Sequence, residues 1–293
     1  MAKNLSVKSY NQELLVDGDP KLLSKIPSHP FFLNYIPESS HAWVSGDAEL
    51  FIEEGQSTSF VHSGKISKLT IGQDSRLSIE DIITVVDYCL DYKRQLEGVY
   101  VIHGSASAQN SKGVIFFGPI SGIGKTSLNL HMCQRYNFGF IGDEKILISS
   151  QGYIVGGTKS VYFNKQEMFK WLDKDLHNKD MRTAGKLNMA SEQASCTIFI
   201  QPVITSGGSN LVVTKWDEAK ADWHLYEELT RKIRGISRRI SNYTIGLQSL
   251  DNQELTQKRI TAVKSITKSA QFYLILGSKD SISQYIYESI FKN

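Results

Sequence analysis

The chain has 293 residues, 41% hydrophobic and 22% charged, with a net charge of +3. That length suits one large domain or two modest ones with a core that needs no staples, and the near-neutral charge gives no argument for a nucleic acid or a membrane surface as partner. Three scattered cysteines, Cys89, Cys133 and Cys196, form no CxxC and no zinc spacing, which excludes a disulfide scaffold and leaves reduced thiols in a cytoplasmic setting as the expectation.

The first residues carry no apolar h-region, so no signal peptide is predicted, and no run of about 18 apolar residues predicts a membrane span. Residues 1–77 read as rich in strands and turns. "HAWVSGDAELFIEEGQSTSFVHSGKISKLTIG" alternates apolar and polar residues between glycines, as short half-buried strands do. "IPSHPFFLNYIPE" holds three of the six prolines and cannot form a long helix. "SIEDIITVVDYCLDYKRQLEG" predicts a helix with Ser78 as N-cap, Asp81 three residues on, and Gly98 at its end. Its buried stripe is Ile79, Ile82, Ile83, Val86, Cys89 and Leu90.

Two apolar runs follow, "VYVIHG" and "GVIFFG", joined by the polar "SASAQNSK"; they predict neighbouring strands. A helix is predicted over Thr126–Tyr136, then one or two strands in "FGFIGDEKILIS". "TKSVYFNKQEMFKWLDKDLHN" predicts a strand and an amphipathic helix, "ASCTIFIQPVI" and "NLVVTKW" further strands, 217–245 mostly helix, and "QFYLILGSKDSISQYIYESIF" a closing strand and terminal helix. Strands alternating with helices imply an α/β domain. The division read from this pattern is 1–98, an N-terminal β-rich accessory domain ending in a helix, and 99–293, an α/β domain.

The densest chemistry lies in "GPISGIGKTS". The Walker A pattern G-x-x-x-x-G-K-[ST] is met at Gly124, Lys125 and Thr126, but its first position falls on Pro119, with Gly118 one residue early. Glycine takes left-handed dihedrals without strain, so Gly122 and Gly124 can turn backbone N–H groups inward around phosphate oxygens. The following helix offers its N-terminal dipole to an anion. Ser121, Gly122, Ile123, Gly124, Lys125, Thr126 and Ser127 therefore form the candidate nucleotide-binding set, with Lys125 reaching β/γ-phosphates and the Thr126 hydroxyl holding Mg²⁺. A bare glycine turn is the plain alternative.

Asp143 and Glu144 sit 18 residues beyond Lys125 within an apolar run. Buried carboxylates cost several kcal/mol, about 3 or more, without partners; Mg²⁺ or a substrate hydroxyl would supply one. A solvated turn between two strands is the alternative. His103 ends a strand and faces phosphates only if that strand neighbours the loop's own.

Together these segments resemble the catalytic core of the HPr kinase/phosphorylase family, whose fold is similar to that of phosphoenolpyruvate carboxykinase. The matching positions are His103-Gly104, the run Ser121 to Thr126, and Asp143-Glu144, within about 50 residues. The resemblance implies Asp143 as the base that activates a hydroxyl, Glu144 as a metal residue, and His103 beside the transferring phosphoryl. Thr126 stands where Ser is usual and Glu144 where Asp is usual. The C-terminal signature of true HPr kinases is missing, so the implied acceptor is another hydroxyl. Relatives include small-molecule kinases acting on serine-like hydroxyls and kinases of lasso-peptide precursors.

The activity the resemblance implies for 99–293, as a P-loop kinase domain, is transfer of the ATP γ-phosphate, with Mg²⁺, to a hydroxyl on a peptide, protein or small molecule, and the resemblance allows a homo-oligomer. The alternative is an ATP-binding switch or scaffold with little transfer. Nucleic-acid phosphorylation is a third reading, with no RNA motif behind it. The basic stretch Arg231, Lys232, Arg234, Arg238 and Arg239 reads as a solvated face or as an anion grip, with Arg231, Arg234 and Arg238 on one helix stripe. "GGTKSVYF", Gly156 to Phe163, reads as a turn with Lys159. Trp171, Trp216 and Trp223 read as core.

Overall fold

The fold is taken from a computed structural model of the chain, which describes residues 3–73, 75–161, 187–190, 193–205, 210–235, 239–241 and 245–292. The expected helix after "TKSVYF", with Trp171, lies outside the described residues, as does Arg238. The class is mixed α/β, with several sheets and helices. Two compact units divide the chain: Met1–Tyr100 with Leu229–Arg259, and Val101–Glu228 with Ile260–Asn293. The expected division at 98/99 differs from this in assigning 229–259 to the second part.

In the first unit, β1 (Asn4–Ser9), β2 (Gln12–Asp17), β3 (Ser39–Val44), β4 (Leu50–Gly55), β5 (Ser59–Ser63) and β6 (Ile66–Gly72) form one sheet in the order β3-β1-β2-β4-β6-β5. The proline-rich stretch falls on the end of one short helix, α1 (Pro20–Ser28), and the whole of another, α2 (Pro30–Tyr35), each opening on a proline, with Asp19 and His29 as side-chain caps. A proline at the first helical position lacks only an N–H that would be unsatisfied anyway. The helix α3 (Ile79–Leu96) begins with the expected capping box, Ser78 and Asp81 exchanging side-chain and backbone bonds. Gly98 follows its end at φ 71°.

Burial of α3 goes beyond the apolar stripe. Arg94, Asp87 and Asp91 are fully buried, with Arg94 Nη2 donating to Asp87 Oδ1 at 3.0 Å and Nη1 donating to Ser9 Oγ at 2.8 Å. The segment 229–259 joins this unit through Tyr88, whose hydroxyl oxygen lies 2.7 Å from the carbonyl of Ile233 and 2.8 Å from that of Gln248, one proton serving the two, and accepts from Leu250 N at 3.2 Å. Ile233, Ile240, Leu247, Leu250 and Leu255 pack into the same core as α3.

The second unit is built on seven strands in the order β10-β9-β7-β8-β11-β15-β12. They are β7 (Val99–Gln109), β8 (Lys112–Phe117), β9 (Gly139–Ser149), β10 (Tyr153–Thr158), β11 (Ala194–Ile204), β12 (Val212–Lys215) and β15 (Gln271–Gly277). β7 and β8 form an antiparallel hairpin, β8 runs parallel to β11 and β11 to β15, and β12 closes the edge antiparallel. The polar joiner "SASAQNSK" is therefore mostly strand: β7 runs through it to Gln109, with Ser105 and Ser107 fully buried.

β8 is covered on both faces, as its unbroken apolar run implies. Val114 and Phe116 join a core with Leu128 and Met132 of helix α4 (Lys125–Tyr136). Phe117, two residues on from Ile115 along the strand, packs edge-on against Phe199 and Trp216. Helix α5 (Glu218–Arg231) stops at Arg231, so 217–245 is only partly helical; the short strands β13 (Arg239–Ile240) and β14 (Ile245–Gly246) pair after it. A further helix α6 (Gln253–Ser269) precedes β15, and α7 (Lys279–Tyr285) continues as a wider turn to Phe291. No helix among the described residues is long and apolar enough to cross a membrane.

Candidate active site

The loop from Gly118 to Gly124 leaves the end of β8 and enters α4. Gly118, Gly122 and Gly124 have φ of 146°, 84° and 102°, conformations that strain any side-chain-bearing residue. The early glycine is thus required where it stands, and a Cβ on it would lie 2.7 Å from Ile123 Cδ1. A Cβ on Gly124 would lie 2.3 Å from Ile204 Cδ1 on β11, whereas one on Gly122 would meet nothing within 4 Å. Gly124 is the N-cap of α4 and supplies no side-chain bond to it. The first N–H groups of that helix therefore have no side-chain cap from this residue, the arrangement that suits an anion.

Lys125, at the first turn, is buried. Its ammonium donates to the loop carbonyls of Ile120 at 2.9 Å and Gly118 at 3.4 Å, so the side chain folds back along the loop. Ser121 is exposed and Ile123 is half-buried, its carbonyl accepting from Ile204 N. Ser127 donates to the carbonyl of Gly124 at 3.1 Å, within the helix's own first turn.

The strand order sets β7 between β8 and β9, which brings the histidine to the strand beside the loop's own and the acids to the strand after that. Thr126 Oγ1 lies 2.9 and 3.1 Å from the two carboxylate oxygens of Asp143. Asp143 is 1% exposed. Burial, and then the neighbouring Glu144 carboxylate, push its pKa well above the usual carboxylate range; hydrogen bonds from Ser105 and Thr126 pull the other way.

Glu144 points elsewhere. Its φ is 64°, uncommon for a residue with a side chain, and its carboxylate is 41% exposed. It lies 3.4 Å from Nδ1 of His103. The cause is a β-bulge: Asp143 pairs with Thr158 and Ile146 with Gly157, so two residues of β9 have no opposite number. The acids therefore sit in a strand, not in a solvated turn, and the bulge separates them into one buried and one half-exposed carboxylate.

Several contributing residues gave no local signal. Asn129, one turn along α4 from Thr126, donates to Ser105 Oγ at 2.7 Å and to the Ala106 carbonyl at 3.1 Å. Ser105 Oγ lies 3.3 Å from the carbonyl of Gly142, next to Asp143. These buried polar residues fasten α4, β7 and β9 together. "GGTKSVYF" departs from the expected turn: Gly156–Thr158 ends strand β10, and Lys159 donates to the Ile141 carbonyl; Phe163 lies outside the described residues.

The basic stretch departs as well. The helix ends at Arg231, so Arg231 and Arg234 share no helical stripe, and both belong to the first unit, where Arg234 Nε lies 3.9 Å from Asp251. Trp216 is core at 7% exposure, but Trp223 is 62% exposed. The three cysteines are free and buried. Among the described residues no group of three or more His, Cys, Asp or Glu side chains is placed to hold a metal by itself. No protein-family description and no curated protein matches the chain.

Proposed function

We propose that the second unit is an ATP-dependent phosphotransferase of the HPr kinase/phosphoenolpyruvate carboxykinase type, acting on a hydroxyl. The observation that carries this reading is the Thr126–Asp143 pair: a hydroxyl on the first turn of α4 donating to a buried carboxylate of β9. A strand–loop–helix with two left-handed glycines and a buried lysine is built for a polyphosphate. An acid held on the residue after that lysine is built for what lies beyond it.

The residues fit Mg²⁺ with nucleotide. Mg²⁺ uses few protein oxygens and takes the rest from phosphates and water, so a three-residue cluster is not required. Thr126 Oγ1 is such an oxygen, at the head of α4. Bound Mg²⁺ supplies charge neutralisation on the transferring phosphate. Lys125 exchanges its loop carbonyls for phosphate oxygens, which are stronger partners for an ammonium. The loop amides hold the phosphate chain in place, and preorganised donors of this kind give the largest share of acceleration in phosphoryl transfer.

Asp143, with its raised proton affinity, is suited to accept the proton of an acceptor hydroxyl. Glu144 and His103 form the outer pair, with the exposed carboxylate orienting the imidazole. The acceptor is a hydroxyl of a peptide, protein or small molecule.

The test is a γ-labelled ATP assay against hydroxyl-bearing metabolites and peptides, with wild type, Lys125→Ala and Asp143→Asn. Label transferred by wild type, nucleotide affinity lost in the first variant and transfer lost with binding kept in the second support the reading. Nucleotide binding without transfer to any acceptor points to a nucleotide-controlled switch. Absence of Mg·ATP binding overturns both.

A further inference from the structure

Building on that reading, we propose that Thr158 is the positioning residue of the acid pair, its hydroxyl clamping both peptide groups that flank Glu144. Thr158 ends β10, is 1% exposed and lies opposite Asp143. Its Oγ1 donates to the carbonyl of Asp143 and accepts from the N–H of Lys145 at 3.4 Å. One hydroxyl thus spans the residue held at φ 64°.

A strained residue persists only where its surroundings over-determine it. Here the over-determination is local. The bulge leaves two residues without ladder partners, and buried peptide groups must find other ones. The threonine hydroxyl supplies both, as donor on one side and acceptor on the other. The strands can come close enough because two glycines face each other: a Cβ on Gly142 would lie 2.8 Å from Gly157 Cα.

The consequence reaches both carboxylates. The carbonyl of Asp143 is fixed on one side of the clamp while its side chain accepts from Thr126, and the backbone of Glu144 is turned so that its carboxylate lies 3.4 Å from His103. Without the hydroxyl, Glu144 is free to return to extended backbone, and the bulge loses the geometry that divides the two acids between the loop and the histidine.

The distinguishing experiment is a double-mutant cycle on urea stability, read in the protein without nucleotide. Thr158→Val keeps the shape and removes both bonds; Glu144→Gly removes the strain that the clamp resists. Thr158→Val is expected to lower the folding equilibrium constant about tenfold in the Glu144→Gly background and clearly less in wild type, where relaxation of Glu144 offsets part of the loss, with Thr158→Ser close to its unsubstituted parent. The second readout is the ratio of affinities for a non-hydrolysable ATP analogue with and without Mg²⁺, expected to fall in Thr158→Val and to hold in Thr158→Ser.

Equal cost of Thr158→Val in both backgrounds overturns the clamp, as does Thr158→Ser behaving like Thr158→Val. Should Thr158→Val fail to fold in either background, the cycle is read with Thr158→Ala under the same two outcomes. Failure of the wild type to bind the nucleotide refutes the phosphotransferase reading, and the stability cycle then decides the clamp independently.

Discussion

The hydroxyl of Thr126 donates to the carboxylate of Asp143, at 2.9 and 3.1 Å from its two oxygens, and joins the first turn of a helix to the middle of a strand. The two residues are 17 apart in sequence, and every element between them serves the junction. The helix α4 presents Thr126, the turn after it returns the chain, and β9 delivers Asp143 at the height of the loop. The loop and the acid therefore cannot be displaced independently, and the expected effects of substitution follow from that coupling.

Lys125→Ala is expected to weaken Mg·ATP binding by roughly ten- to a hundredfold, since a buried charge-assisted contact to phosphate contributes about 1.5–3 kcal/mol. Folding should change little, because the hydrogen bonds lost go to two carbonyls of the residue's own loop, those of Ile120 and Gly118. Isothermal titration calorimetry on wild type and variant checks both the affinity and the stoichiometry.

Asp143→Asn should alter the pH dependence of stability. The folded state holds the Asp143 proton more tightly than the unfolded chain does, because burial raises the carboxyl's pKa. Its contribution is therefore fully present below the ordinary carboxylate pKa and is lost as pH rises through the raised one. The asparagine variant does not titrate, so its Tm should gain on wild type between pH 5 and pH 8. About 2–4 °C per kcal/mol is the expected scale for domains of this size. Parallel melting curves across that range would contradict the burial of a titrating acid.

Glu144→Gly should stabilise the fold while impairing transfer. Relief of a left-handed residue gains on the order of 1 kcal/mol, offset in part by the freedom that glycine adds to the unfolded chain. Loss of the carboxylate removes the partner of His103. Urea titration paired with the transfer assay measures the two changes in the same preparation; a fall in stability together with intact transfer contradicts both.

Arg94→Met in the first unit should destabilise by about 3–5 kcal/mol, because Asp87 and Asp91 remain buried beside it without their guanidinium. A triple change that also makes both acids apolar should recover much of the loss. Denaturant unfolding followed by circular dichroism provides the comparison.

Local signals made part of this molecule legible. Ser78 with Asp81 announced the start of α3, and an apolar run closing on glycines announced β8 and the loop. These features depend on neighbours within four residues, so spacing alone reveals them. The helix α6 escaped because its buried stripe of Leu255, Ala262, Val263 and Ile266 is interrupted by a fully buried Arg259, whose partners Gln95 and Asp251 lie outside the repeat. The bulge escaped for a similar reason. The two readings of Asp143 and Glu144, an apolar run or a solvated turn, hold no sign of Thr158, which supplies bonds from the next strand that no local pattern encodes. Ser105 and Ser107 looked like linker because serine is common in loops; their burial comes from strands that sit on either side of β7.

Tyr88 carries a consequence for the order of events at the ribosome. Its phenol is satisfied by carbonyls 145 and 160 residues further on, and the apolar residues around those carbonyls complete the core of the first unit. A nascent chain that has emerged only to residue 100 holds a sheet and three helices with that side chain still seeking partners. The N-terminal third must wait for most of the polypeptide to be synthesised before it closes, and this interval is where chaperone contact or misassembly is most favoured.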